Sequence, residues 1–220
     1  MNFFVTAIGH SGTMWLAHVL GCAHEAPDPR PKAIPHPWTP FPVERFWAGG
    51  PGYGEVNGML RYHLSAQHPG RERLIPRRAW LRRNPRAIIA SWMNDDLDRD
   101  PEELAAVCWE VLWHYHNLEG WAVADAAVRV VDLETLSTDL EALREFAAWL
   151  GHRGPIGPEA LRPYRPTPEH RKRFQWGPRE ERILKTVAAR VGCSLSWIPA
   201  PESRPCSVDG TGEIDTRGRA

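Results

Sequence analysis

The sequence predicts an α/β domain built on a parallel β-sheet. Short apolar runs alternate with longer segments whose apolar residues recur at helical spacing, and this alternation is typical of a parallel sheet covered by helices. Of the 220 residues, 42% are hydrophobic, so the chain can bury the core of one domain. Eleven tryptophans favour a folded chain, because disordered chains are poor in aromatic residues.

The first predicted unit is a strand, a loop and a helix. Residues 3–8 form an apolar run typical of a buried strand, and Thr13–Leu20 predicts a helix that Gly21 ends. The small residues of the intervening loop, Gly9-His10-Ser11-Gly12, let backbone amides turn toward a ligand, and the helix N-terminus adds a partial positive charge. These features suit a cradle for phosphate or sulfate, and an ordinary tight turn has the same spacing. A Walker A loop is excluded, since its Gly-Lys-Ser/Thr end is missing.

The middle of the chain predicts an irregular segment and two more elements. Residues 22–53 are rich in proline, glycine, histidine and tryptophan, and residues 55–67 predict a helix with one apolar face. Residues 79–81 predict a second buried strand. Asn84 followed by Pro85 predicts a helix start, because asparagine caps helices and proline fits the first helical position.

The second half predicts three helices and a strand. A capping signal at residues 100–103 opens a helix that reaches about residue 125. Residues 128–133 predict the third strand, residues 139–150 a helix that ends at glycine, and Pro178–Val191 a last helix that also ends at glycine. We therefore predict one domain over residues 1–198 and a mobile polar tail over residues 199–220.

The balance of basic and acidic residues argues against two classes of binding partner, nucleic acids and membrane surfaces. Basic and acidic residues both number 27, so the formal net charge is zero. Nucleic-acid coats and membrane-surface proteins need a positive excess, and we expect neither kind of partner. No apolar run reaches the ~20 residues of a membrane span, and no basic lead of a signal peptide is present. Four scattered cysteines and ten scattered histidines predict no disulfide framework and no metal site. The sequence thus predicts a cytoplasmic protein.

A second motif, at residues 83–91, bears on the function of the loop at residues 9–12. Residues 83–91 read Arg-Asn-Pro-Arg-Ala-Ile-Ile-Ala-Ser and run from a predicted strand into a helix. With the first loop, this motif resembles the sulfotransferase family, whose members transfer a sulfuryl group from 3′-phosphoadenosine 5′-phosphosulfate (PAPS). The family's first loop, Lys/Arg-Ser-Gly-Thr-Thr/Ser-Trp, holds the 5′-phosphosulfate, and an arginine and a serine eight residues apart hold the 3′-phosphate. Arg83 and Ser91 have that spacing. The resemblance covers roughly residues 3–192.

The resemblance implies a fold, a reaction and a set of residues. The fold is a three-layer sandwich with a central parallel sheet flanked by helices, the P-loop NTPase-like sulfotransferase architecture. The reaction is an in-line sulfuryl transfer, without a metal, from PAPS to a hydroxyl or amine of a small-molecule, carbohydrate or peptide acceptor, leaving adenosine 3′,5′-bisphosphate (PAP). The implied donor-binding residues are Gly9, His10, Ser11, Gly12, Thr13, Met14, Trp15, Arg83, Ser91, Arg171 and Lys172.

Three residues depart from the family pattern. His10 stands where the family has lysine or arginine, Met14 where a second threonine or serine is usual, and Leu133 where a tyrosine lies near the adenine. Two roles are open for His10. A protonated His10 would stabilise charge that develops on the leaving phosphate as a catalytic cation. Alternatively, His10 supplies only ring hydrogen bonds and backbone geometry.

Glu55 is the predicted catalytic base for the acceptor. The segment that it opens resembles the one that carries the catalytic carboxylate in carbohydrate-type members of the family. A glutamate in a first helical turn also compensates the helix dipole, so both roles are open. His36 and His63 are the reserve candidates. The aromatic segment 36–53 is expected either to line the acceptor site or to cover the core.

Other functions remain as alternatives. His10 and Met14 also fit a catalytically impaired nucleotide-binding protein of sulfotransferase fold. A nucleotide kinase or hydrolase would need a loop lysine and a Walker B carboxylate, which we do not find. An arginine-rich nucleic-acid binder is disfavoured by the zero net charge.

Overall fold

In the part of the chain that the structure describes, five parallel strands form one sheet. The computed structural model describes residues 2–24, 52–58, 73, 75–95, 103–161 and 174–195. The strands are β1 (Phe3–Thr6), β2 (Ala23–His24), β3 (Gly54–Asn57), β4 (Arg77–Arg82) and β5 (Val128–Asp132). Their spatial order is β2-β3-β1-β4-β5, and every neighbouring pair is parallel. The first strand of the chain therefore lies in the middle of the sheet.

Helices cover both faces of this sheet. They are α1 (Thr13–Leu20), α2 (Pro85–Asp95), α3 (Leu104–Ala124), the short α4 (Leu133–Leu136), α5 (Leu140–Leu150) and α6 (Pro178–Val191), with a 3-10 turn at Pro158–Ala160. Helices α2, α3 and α6 pack on the face that carries Phe4, and α1 and α5 pack on the face that carries Val5. Successive side chains of a strand point to opposite faces, so one apolar run supplies both cores. The α/β prediction is confirmed, and the arrangement is compatible with three layers.

Local signals fix the helix ends. The side chain of Asn84 accepts a hydrogen bond from the backbone of Arg86 at 2.9 Å, and the Asp139 side chain accepts from two backbone amides at the start of α5. Glycines with left-handed backbone end α1, α5 and α6. The predicted bounds of α1 and α6 are confirmed, and α5 begins one residue after its predicted start at the cap.

The helix predicted over residues 55–67 is wrong in its described part. Gly54–Asn57 is strand β3, which pairs with β1 on one side and β2 on the other. All four residues are buried, because both faces of this inner strand are covered. Glu55 and Asn57 are polar and bond to each other within the sheet, so the strand lacks the apolar run that would have announced it.

Further predictions differ at their edges. Strand β1, predicted over residues 3–8, ends at Thr6, and β4, predicted over residues 79–81, spans Arg77–Arg82. Segment 22–53, predicted to be irregular, contributes strand β2, and the strand predicted over residues 128–133 ends one residue earlier, where α4 begins. The tail at 199–220 and the end of the predicted domain lie outside the described residues. Among the helices that are described, none combines the length and the apolar character needed to cross a bilayer.

Candidate functional site

The order of strands in the sheet has a topological switch point between β1 and β4. These strands are neighbours, and the helices that follow them pack on opposite faces: α1 on the Val5 face and α2 on the Phe4 face. A crevice forms outside the carboxyl ends of parallel strands at such a point, and ligands of open α/β sheets bind there. The β1–α1 loop (residues 7–12) and the β4–α2 connection (Arg83 and Asn84) lie at this edge.

The β1–α1 loop has the backbone of an anion cradle. His10 and Gly12 adopt φ values of 63° and 76°, in the left-handed region, on either side of Ser11. Alternation of left-handed and ordinary residues is the backbone pattern of anion-binding concavities. The first helical hydrogen bond, from Leu16 to the Gly12 carbonyl at 3.0 Å, starts α1 directly behind the loop. The predicted order of strand, loop and helix is therefore confirmed, and binding of an anion by the loop stays a prediction.

Packing restricts Gly12, and a side chain lies within contact distance of Gly9. A Cβ atom on Gly12 would lie 2.8 Å from Cδ1 of Leu133, the residue that follows β5. A Cβ atom on Gly9 would lie 3.4 Å from the Trp92 ring. The loop therefore fits against two side chains that the sequence motif does not contain.

The two predicted donor motifs meet at His10. The Arg83 guanidinium donates a hydrogen bond to the His10 carbonyl, and Ser91 Oγ lies 3.4 Å from His10 Nδ1. Arg83 and Ser91 are 73 and 81 residues away from His10 in the sequence. Their contact follows from the pairing of β1 with β4, which aligns the ends of the two strands.

A buried hydroxyl in the loop fits an anionic ligand. Ser11 is 1% exposed, and its Oγ has no hydrogen-bond partner within the part of the chain that the structure describes. Leaving a buried hydroxyl unsatisfied costs about 1–3 kcal/mol, so such a group calls for an acceptor. A phosphate or sulfate oxygen is an acceptor that this loop is suited to hold.

The side chains of the remaining residues of the first motif contact other parts of the protein or solvent. Thr13 Oγ1 lies 3.0 Å from Nε2 of His24 on β2, and Met14 is 72% exposed. The indole of Trp15 donates to the carbonyl of Ala160 at 2.9 Å. The side chains of Thr13 and Trp15 thus tie α1 to its neighbours, while their backbone still belongs to the helix start.

Three arginines in and after β4 form ion pairs with acidic side chains of the protein. Arg78 is buried and pairs with Asp125 at 2.9 Å, and Arg82 binds both carboxylate oxygens of Asp132. Arg86 binds both oxygens of Glu181 at 2.8 Å, and this contact lowers the pKa of that carboxyl. These arginines stabilise the fold, whereas the half-exposed Arg83 reaches the loop.

Glu55 lies in the core. It is 0% exposed, and its carboxylate accepts hydrogen bonds from the Tyr53 hydroxyl at 2.9 Å and from the Asn57 amide at 3.1 Å. Its register partner on β1 is Phe4, so it shares the sheet face that α3 covers. The prediction that Glu55 begins a helix is therefore wrong, and its role as base stays a prediction.

Four of the predicted or reserve residues, namely His36, His63, Arg171 and Lys172, lie outside the described residues. Sequence reasoning missed Trp92 and the packing role of Leu133. Trp92 follows Ser91 directly, but only the pairing of distant strands shows that its ring reaches the loop.

The described part of the chain holds no group of three metal-ligating side chains. Burial raises the pKa of Cys22 to about 11 and that of Cys108 to about 12, so both thiols are protonated at neutral pH. Burial also lowers the pKa of His114 on α3. These groups behave as core residues.

No model of a known protein family matches the sequence, and no curated protein matches it either.

Proposed function

We propose that the protein is a sulfotransferase that moves a sulfuryl group from PAPS to a hydroxyl or amine of a small-molecule, carbohydrate or peptide acceptor. The observation that carries the proposal is the contact of Arg83 and Ser91 with His10, which joins the two donor motifs at the carboxyl edge of the sheet. The P-loop NTPase-like sulfotransferase architecture and a cytoplasmic location are parts of the same proposal.

The residues of the site fit the two charged ends of such a donor. The loop amides, the Ser11 hydroxyl and the N-terminus of α1 would hold the 5′-phosphosulfate. The Arg83 guanidinium and the Ser91 hydroxyl would hold the 3′-phosphate, because a guanidinium and a hydroxyl both donate to phosphate oxygens. When bound, the donor supplies an activated sulfuryl group with a phosphate leaving group.

The protein's contribution to the reaction is positioning and electrostatics, as in phosphoryl transfer. A protonated His10 would supply positive charge beside the loop, where a leaving phosphate gains negative charge. Its Nδ1 lies near Ser91 Oγ, so the same ring connects the two subsites. Glu55 is kept as the proposed base, and its burial makes a structural role the competing explanation.

A catalytically impaired nucleotide-binding protein is the second candidate. Two observations favour this candidate. The His10 ring contacts Ser91, and the Met14 side chain is exposed. Neither His10 nor Met14 supplies a permanent cation to the loop. Transfer of labelled sulfate from PAPS to a panel of acceptors separates the candidates: both bind PAP, and only the enzyme transfers the label.

The site assignment is tested by binding of PAP. PAP should raise the melting temperature, as a ligand selective for the folded state must, and ATP, which has no 3′-phosphate, should stabilise less. Arg83→Ala should weaken PAP by about 10- to 150-fold, because a charge-assisted contact contributes roughly 1.5–3 kcal/mol. Ser91→Ala should weaken it by about 2- to 12-fold.

Arg190→Ala is the matched control, since this exposed arginine in the last turn of α6 belongs to neither motif. It should bind PAP as the wild type does. Unchanged affinity of folded Arg83→Ala and Ser91→Ala proteins would reduce the second motif to a helix start.

A further inference from the structure

The backbone of His10 is held in a conformation that it does not favour. Its φ of 63° lies in the left-handed region, which residues with a Cβ atom enter only at an energetic cost. Such a conformation persists only where the surroundings determine it, and it is common where a loop is pre-organised for binding. Contacts that hold His10 therefore decide the shape of the loop.

Those contacts come from one short segment. Arg83 donates to the His10 carbonyl, and Ser91 Oγ lies 3.4 Å from His10 Nδ1. Trp92 is the third contributor, and its indole N–H donates to the carbonyl of Gly9 at 3.4 Å. Arg83 and Ser91 are also the predicted ligand contacts, whereas Trp92 belongs to no motif.

Trp92 connects the loop to the hydrophobic core. Its ring meets the His10 ring edge-on, with centroids 5.7 Å apart and planes at 66°. The same ring lies 3.4 Å from the position of a Cβ on Gly9, and it packs against the core beneath α2 and α3. A half-buried, anchored indole thus contacts both residues that precede Ser11.

We propose that Trp92 is a positioning residue, which holds Gly9 and His10 so that the loop keeps its anion-binding conformation. This role rests on the proposed function, because it assigns to Trp92 the geometry of the subsite that would hold the 5′-phosphosulfate. The competing explanation is that Trp92 only fills the core.

The test compares three single variants. Trp92→Leu keeps an apolar side chain in the core and removes both the N–H donor and the ring edge. Trp92→Phe keeps an aromatic ring but removes the donor together with one of the two fused rings, so it is the milder change and serves if the leucine variant folds poorly. Trp149→Leu is the matched control, because this half-buried tryptophan packs against Phe146 on the other face of the sheet.

Two measurements apply to each variant: hydrogen exchange of the amides of residues 9–12, and affinity for PAP. Trp92→Leu should speed exchange in the loop and weaken PAP by about 2- to 12-fold, the loss expected when one hydrogen-bond donor to the ligand is misplaced. Trp92→Phe should change both by less. Trp149→Leu should change neither, although its melting temperature falls.

A rescue experiment separates positioning from packing. His10→Gly removes the cost of the left-handed backbone, so the added Trp92→Leu change should speed loop exchange much less in that background than in the wild type. Equal effects in both backgrounds, unchanged loop exchange in Trp92→Leu, or an equal effect of Trp149→Leu would overturn the proposal. If the wild type binds no PAP, the proposed function fails, and hydrogen exchange still decides the role of Trp92.

Discussion

At the scale of single residues, Gly12 combines a backbone requirement with a packing requirement. Its φ and ψ are 76° and 20°, and Gly192 at the end of α6 has the same pair of angles. A Cβ atom on Gly192 would meet nothing within 4 Å, whereas one on Gly12 would lie 2.8 Å from Leu133. Substitutions at the two glycines therefore distinguish the free-energy cost of a left-handed backbone from the cost of the steric contact with Leu133.

Gly192→Ala should lower the free energy of unfolding by about 1–2 kcal/mol, the cost of a left-handed residue with a Cβ atom. Gly12→Ala should cost about 1–3 kcal/mol more, because the methyl group overpacks the loop against Leu133. Urea denaturation measures both. The additional loss of stability at Gly12 should decrease when Leu133 is also replaced by alanine. Equal losses for Gly12→Ala and Gly192→Ala would contradict the steric contact with Leu133.

Glu55→Gln distinguishes a buried structural carboxylate from a catalytic base. The amide nitrogen of glutamine cannot accept the hydrogen bond that Glu55 takes from Tyr53 or Asn57. The structural role predicts a loss of about 1–3 kcal/mol in the free energy of unfolding. A base that acts only in the chemical step would instead lower turnover by about 10²–10⁴-fold and leave stability unchanged. Thermal melting and sulfuryl transfer on the same variant decide the question.

At the scale of elements, Arg86 and Glu181 join the helix of the second motif to the last helix. Each carboxylate oxygen accepts one guanidinium hydrogen bond at 2.8 Å, and Arg86 is 9% exposed. The Arg86 hydrogen bonds hold the pKa of Glu181 below its usual 4.5. The pair therefore contributes its full stability above pH 4.5 and loses it as the pH falls through the lowered pKa.

Glu181→Gln should lower the free energy of unfolding by about 1.5–3 kcal/mol at pH 7, since Arg86 loses a charged partner in a buried place. The difference from the wild type should narrow as the pH falls below 4.5, because protonation removes the same charge from Glu181. Glu145→Gln, at an exposed position of α5, should stay within about 0.5 kcal/mol of the wild type. A pH-independent difference for Glu181→Gln would refute the ion pair.

Elements with signals of their own could be predicted from the sequence, and those that depend on partners could not. Gly21 and Gly192 end helices by local backbone geometry, and the Asn84 and Asp139 side chains cap helices within their own turn. Strand β3 has no such signal, because Glu55 and Asn57 bond to each other inside the sheet. The contact of Arg83 and Ser91 with His10 and the contact of Trp92 with Gly9 both depend on the pairing of β1 with β4, so neither could be predicted from the sequence.

At the scale of the whole molecule, the sheet separates two hydrophobic cores. Leu112 on α3 is fully buried in one of them, and Leu143 on α5 is fully buried in the other. The backbone of the sheet lies between them, so the two side chains share no core. Their contributions to the free energy of unfolding should therefore be independent.

Leu112→Ala and Leu143→Ala should each lower the free energy of unfolding by about 2–5 kcal/mol, through lost burial and a residual cavity. The double variant should lose the sum within about 0.5 kcal/mol, as distant substitutions do. Chemical denaturation at low temperature keeps the double variant measurable. A coupling well above that figure would mean that the sheet transmits strain from one core to the other.

Because β1 lies in the middle of the sheet, the candidate site can form only late during protein synthesis. Thr6 pairs with Asn57 on one side and with Trp80 on the other, so both of its partner strands are made long after it. At ribosomal rates of ~5–20 residues per second, Trp80 follows Thr6 by about 4–15 s. Throughout that interval the nascent loop has neither Arg83 nor Trp92 to hold it. A ligand therefore cannot guide the first steps of folding, and a ribosome-stalled chain that ends before α2 should not be retained on immobilised PAP.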